Sequence, residues 1–148
     1  MKTYVIMLSK VFPKGHRREG EQTGFKEKLL SHEKIHTIRS NYALWEKRIK
    51  EVQEGEAILS VRQWEDKPYR SKQVEIVRFT EESGIGIQKL EIQDLSRPAT
   101  VAGKIVELQD IANADGLEFN DFYHWFKGYS FKEPMAIIHF TRLRYRYR

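Results

Sequence analysis

Three strand-like segments follow one another between Glu56 and Gln93, and the spacers between them are too short for a helical crossover. "EAILSVRQW" and "QVEIVRFT" alternate apolar and polar residues in the two-residue period of a half-buried strand, and "EDKPY" supplies the turn between them. "GIGIQKLEIQ" adds a further strand with its own glycines. Parallel neighbours need a connection of a dozen residues or more, so such a run favours antiparallel pairing.

The flanking sequence is mixed. "TYVIMLSKVF" reads as a first strand buried on both faces, and "FKEKLLS" as a short helix with Phe25, Leu29 and Leu30 inward. "KIHTIRS" reads as a strand with Ile35, Thr37 and Arg39 on one face and Lys34, His36 and Ile38 on the other. "NYALWEKRIKEVQEG" predicts a helix capped by Asn41, striped by Leu44, Trp45, Ile49 and Val52, and stopped by Gly55. Ile105, Leu108, Ile111 and Ala112 predict another helix that Gly116 ends. A further one carries Phe119, Phe122, Tyr123 and Phe126, with Trp125 off that stripe. "MAIIHFTRL" closes the set as a strand. Clustered strands with marginal helices predict a single α+β domain, residues 1–148, whose small, mostly antiparallel sheet closes into a barrel flanked by helices.

A chain of 148 residues with 40% hydrophobic side chains can bury one core. It has no cysteine, so disulfides, thiolate metal sites and cysteine nucleophiles are excluded. His32 and His36 share a helical spacing in a segment that reads as strand, so no metal site or cofactor is expected. "GIGIQ" lacks the strand–glycine–helix context of a dinucleotide loop, and no Gly-Lys-Ser/Thr phosphate loop occurs. The opening "MKTYVIMLSK" lacks a cleavage site, and no apolar run is long enough for a membrane span. A cytoplasmic protein without membrane contact is expected. The net charge of +5 favours a polyanionic partner.

The most suggestive residues lie in "SHEKIHTIRSN", Ser31 to Asn41. Lys34, Thr37 and Arg39 form a Lys-x-x-Thr-x-Arg pattern. Gly55 and Glu56 stand between a helix and a strand, Asp115 and Gly116 precede a late helix, and "MAIIHFTRL" closes the order. In these four elements, spanning roughly Phe25 to Leu143, the chain resembles the ASCH domains, a branch of the PUA-like β-barrel superfamily. The resemblance implies a PUA-like barrel with a core at about 25–143 and a cleft for RNA or a nucleotide. Some small members are similar to amidohydrolases that deacylate N4-acylated cytidine, and their lysine, threonine and glutamate match Lys34, Thr37 and Asp115. The chain departs from the pattern where His32 and Glu33 replace a glycine before the lysine, where the acid is one methylene shorter, and in the loop 13–24.

The function expected of these residues is binding of RNA or a nucleotide in a basic cleft, with an amidohydrolase as the alternative. As a binder, Lys34 and Arg39 contact phosphate, Thr37 or Asp115 meets a base edge, and Tyr42, Trp45 or Trp64 stacks, Trp64 being the best exposed. Lys14, His16, Arg17 and Arg18 on the loop 13–24 and Arg142, Arg144, Arg146 and Arg148 in the tail 142–148 then widen the electrostatic footprint. As an amidohydrolase, Thr37 attacks and a neutral Lys34 takes the proton; Arg39 crowds the lysine or binds the oxyanion, and Asp115 orients the lysine or takes a proton. A third use, a protein-interaction module without catalysis, needs none of these roles. On an ideal strand Lys34 and Thr37 point to opposite faces. They converge only if the strand bulges or Lys34 lies in the loop before it.

Overall fold

A computed structural model describes residues 1–146; Tyr147 and Arg148 of the tail lie outside the described residues. The fold is α+β. Its elements run β1 (Lys2–Met7), α1 (Phe25–Leu30), β2 (His36–Arg39), α2 (Tyr42–Gln53), β3 (Ala57–Trp64), β4 (Gln73–Phe79), β5 (Gly86–Glu91), β6 (Ala99–Val101), β7 (Lys104–Val106), α3 (Leu108–Ala114), α4 (Phe119–Phe126) and β8 (Met135–His139). The strands form two sheets, β1-β3-β4 and β2-β8-β5-β6-β7; among the described residues the ladders do not close into the single barrel expected. Antiparallel pairing holds everywhere except β1–β3. That pair is parallel because the connection between its strands carries α1, β2 and α2, ample length for a crossover.

Several expectations need correcting. β1 is an edge strand, so within it only Ile6 is fully buried rather than both faces; Leu8 and Phe12, beyond its end, enter the core instead. Leu30 and Leu44 turn outward, as does Tyr123 on α4. The segment Ala99–Val106 is a hairpin, not the loose start of a helix, and Ile105 stands 78% exposed on it. Its loop is Ala102–Gly103, both at positive φ (51° and 80°), the pattern of a two-residue turn that matches strand twist. The arginine–tyrosine tail forms no strand through Arg146. Among the described residues no helix is long and apolar enough to cross a membrane.

The sheets meet around α2, which buries Trp45, Ile49 and Val52. Asn41 accepts from Leu44 N at the helix start, and Gly55 at φ 77° follows its end, as the sequence requires. Phe79 of β4 stacks on Phe140 just past β8, with centroids 5.3 Å apart. Arg39 of β2 reaches the other sheet, donating to the Met7 carbonyl at 2.7 Å.

Candidate functional site

Lys34 lies in the loop before β2, which resolves the facing problem. Its loop is fixed at both ends: Lys34 N donates to Lys28 O, and Ile35 N to Ala114 O at the end of α3. The side chain is therefore free of the strand's alternation and turns toward Thr37's face. Gly116 makes the approach possible. It sits at φ 82°, and a Cβ there would come 3.1 Å from Lys34 Cβ.

Lys34, Thr37, Arg39 and Asp115 line one cavity of about 40 Å³, with Phe25 and Trp125 in its wall. Asp115 thus lies beside Thr37's strand, not across the molecule from it. Lys34 is 1% exposed. Its Nζ donates to the Asp115 carbonyl at 2.8 Å, sits 3.4 Å from Asp115 Oδ1, and lies 4.3 Å from the Phe25 ring centroid. The two Asp115 oxygens and the C-terminal end of α3 all favour a cation here. Desolvation outweighs them, and with Arg39 and Lys28 nearby it lowers the Lys34 pKa to about 8.

Thr37 and Arg39 share a face of β2, as two-residue periodicity demands. Arg39 Nη1 donates 2.8 Å to Thr37 Oγ1, and also to Ile38 O. Its hydrogen bonds go to a hydroxyl and carbonyls rather than to a carboxylate, and desolvation lowers its pKa. Thr37 Oγ1 accepts from a cation and keeps its own proton for donation. A lysine amine, a hydroxyl, a guanidinium and a carboxylate are residue types that proton transfer and nucleophilic attack use, and here they line one small cavity.

The remaining candidates lie elsewhere. Tyr42 begins α2, donates to Glu46 at 2.9 Å, and has its pKa pushed up to about 12 by burial; it does not line the cavity. Trp45 is buried in the core. Trp64, half-buried at the end of β3, packs against Tyr69 with centroids 5.2 Å apart. Arg17 and Arg18 clamp buried Asp121 of α4 at 3.0 and 2.8 Å. Desolvation opposes ionisation of Asp121, yet these donors hold its carboxyl below the usual range. His16 is buried against Phe12, its Nε2 donating to Asp121 O. The loop 13–24 is thus docked on α4 rather than presented as a basic crown, although Lys14 stays exposed. Arg144 donates to Gly84 O, and Arg148 falls outside the described residues.

Sequence reasoning missed members of the neighbourhood, Phe25 and His36 among them. Phe25, read only as core, supplies the ring under the Lys34 amine. His36, which sequence reasoning did not place at the site, is fully buried with Nδ1 3.1 Å from Asp115 Oδ1. The signal was its place two residues beyond Lys34. His139 on the neighbouring strand is a contrasting case. Its Nε2 pairs with Gln88 Oε1 while Nδ1 has no partner among the described residues, and burial drives its pKa down to about 3, so it stays neutral.

Compared with known proteins, the chain matches no family model, and no curated protein or solved structure matches it significantly.

Proposed function

We propose that the protein is an amidohydrolase that cleaves a small acyl group from the exocyclic amine of a nucleobase, with N4-acylcytidine as the candidate substrate. The observation that carries this reading is Lys34. It is a buried lysine with its pKa lowered to about 8, lining one 40 Å³ cavity with Thr37, Arg39 and Asp115. The substrate class comes from the resemblance to ASCH domains, and with it the reading of the two sheets as a variant of the PUA-like barrel.

At pH 7 roughly a tenth of such a lysine is neutral, far more than for an exposed one. Neutral Lys34 accepts the Thr37 proton as Oγ1 attacks the amide carbonyl. Arg39, already on Oγ1, faces the negative charge that develops. Collapse breaks the C–N bond, and Lys34 returns the proton to the departing amine. Water then hydrolyses the acyl-threonine ester, releasing the carboxylic acid. Asp115 keeps the amine aimed throughout. The cavity has space for about three waters' worth of atoms, which suits an acetyl group and leaves the ring at its mouth.

Incubation with N4-acetylcytidine should release acetate and cytidine, and Lys34→Ala and Thr37→Ala should each lower the rate at least about a hundredfold. An N4-benzoyl analogue should react at least about tenfold more slowly than the acetyl compound. Absence of release by the native protein would sink the reading.

A second reading, RNA binding, is favoured by a different place. The β3–β4 loop exposes Tyr69 (88%) at φ 63°, packed on Trp64 and accompanied by exposed Lys67, Arg70 and Lys72. An exposed aromatic pair among cations suits base stacking on single strands. Filter binding to mixed-sequence RNA should then weaken steeply with salt and fall several-fold in Trp64→Ala, while Arg39→Ala leaves it unchanged. Salt-independent or absent binding removes it.

A further inference from the structure

Asp115 has a second partner, His36, on the same carboxylate oxygen that Lys34 approaches. His36 is fully buried and both of its ring nitrogens are engaged. Nδ1 lies 3.1 Å from Asp115 Oδ1, and Nε2 lies 2.8 Å from the Tyr145 hydroxyl. An ionised carboxylate only accepts, so Nδ1 carries the proton; in a neutral ring Nε2 is then the acceptor and Tyr145 the donor. Polarity runs in one direction along this chain: Tyr145 O–H to His36 Nε2, His36 Nδ1–H to Asp115 Oδ1, with Lys34 Nζ 3.4 Å from the same oxygen. Burial pushes the Tyr145 pKa up, with the Asp115 and Asp110 charges adding to it, so the phenol keeps its proton at neutral pH.

Tyr145 is placed by its backbone. Its N–H donates to Gln88 Oε1 at 2.9 Å and its carbonyl accepts from Gln88 Nε2 at 3.0 Å, so one β5 side chain reads the tail as a strand would. The preceding residue is seated as firmly. Arg144 Nη2 donates to Gly84 O, and the guanidinium lies where any Cβ on Gly86 would collide with it. The tail is thereby laid over the His36 and His139 rings, each 5.8 Å from the Tyr145 ring.

We propose that Tyr145 is a positioning residue for the Lys34 site: through His36, held as the Nδ1–H tautomer, the tail fixes Asp115 Oδ1 beside the lysine. The functional meaning of this chain rests on the hydrolase reading, whereas the hydrogen-bond chain itself does not. The tail completes the site from 108 residues beyond Thr37 in sequence, and a chain ending before Tyr145 lacks the donor.

The test combines spectroscopy with turnover on the full chain. Long-range 1H–15N correlation on 15N-histidine-labelled protein at pH 7 should show His36 neutral, with its proton on Nδ1 and a low-field Nδ1–H resonance protected from water exchange. Tyr145→Phe removes one hydroxyl and keeps the ring. It should speed that exchange at least about tenfold and lower kcat for N4-acetylcytidine roughly threefold to tenfold, with KM little changed. A native His36 that is an imidazolium or the Nε2–H tautomer overturns the proposal, as does a Tyr145→Phe protein whose exchange matches the native one. If the native protein turns over no substrate, the hydrolase reading falls, and the tautomer and exchange still decide the chain.

Discussion

Lys34 is a cation placed where a cation is disfavoured. An aromatic ring and the two oxygens of Asp115 compensate it, but lost hydration dominates, and Arg39 and Lys28 add repulsion. The direction of its pKa shift fixes the sign of a kinetic prediction. The reactive form is the neutral amine, so kcat/KM for N4-acetylcytidine should climb with pH and reach half its plateau near pH 8. A rising limb centred near 10, the range of an ordinary lysine, would show that burial does not lower the Lys34 pKa. The lysine, the threonine and the arginine were legible as a motif, because they lie within six residues. Their burial was not, since the same charges on a solvent-facing edge strand would read identically.

Among the elements, the β6–β7 hairpin shows how a local signal misled. Ile105, Leu108, Ile111 and Ala112 keep helical spacing, but the helix begins only at Leu108, and the residues before it pair across a two-residue loop. The alanine in that loop hid the turn, because Ala102 adopts a φ of 51° that alanine disfavours. Asparagine tolerates this conformation and is favoured before glycine in such loops. Ala102→Asn should therefore stabilise the fold by about 0.5–1 kcal/mol, read as a higher urea midpoint at unchanged slope. A destabilised variant would show that the loop does not take up this turn. The helices α2 and α4, by contrast, were readable because apolar stripes act over single turns, and in α2 the Asn41 cap does too.

At the level of the whole molecule, Arg39 joins the two sheets. One guanidinium donates to Thr37 Oγ1 and Ile38 O in the five-stranded sheet and to Met7 O in the three-stranded one. A lysine keeps the charge but has no planar fork with which to reach both sheets. Arg39→Lys should cost about 1–3 kcal/mol of stability by urea denaturation. Stability equal to the native protein would mean that charge, not geometry, matters there. Local sequence was enough for the α+β class, the antiparallel bias of the central strands, the caps of α2 and the residue types of the site. Those are properties of neighbouring residues, whose periodicity and conformational preferences act over a few positions. The division of the strands into two sheets, the meeting of Lys34 with Asp115 from the loop before β2, and the place of Tyr145 behind His36 emerge only in the folded chain. Those contacts join residues some 80 to 109 positions apart, and no local preference carries information about them; they follow from which buried polar groups must find partners once the core has closed.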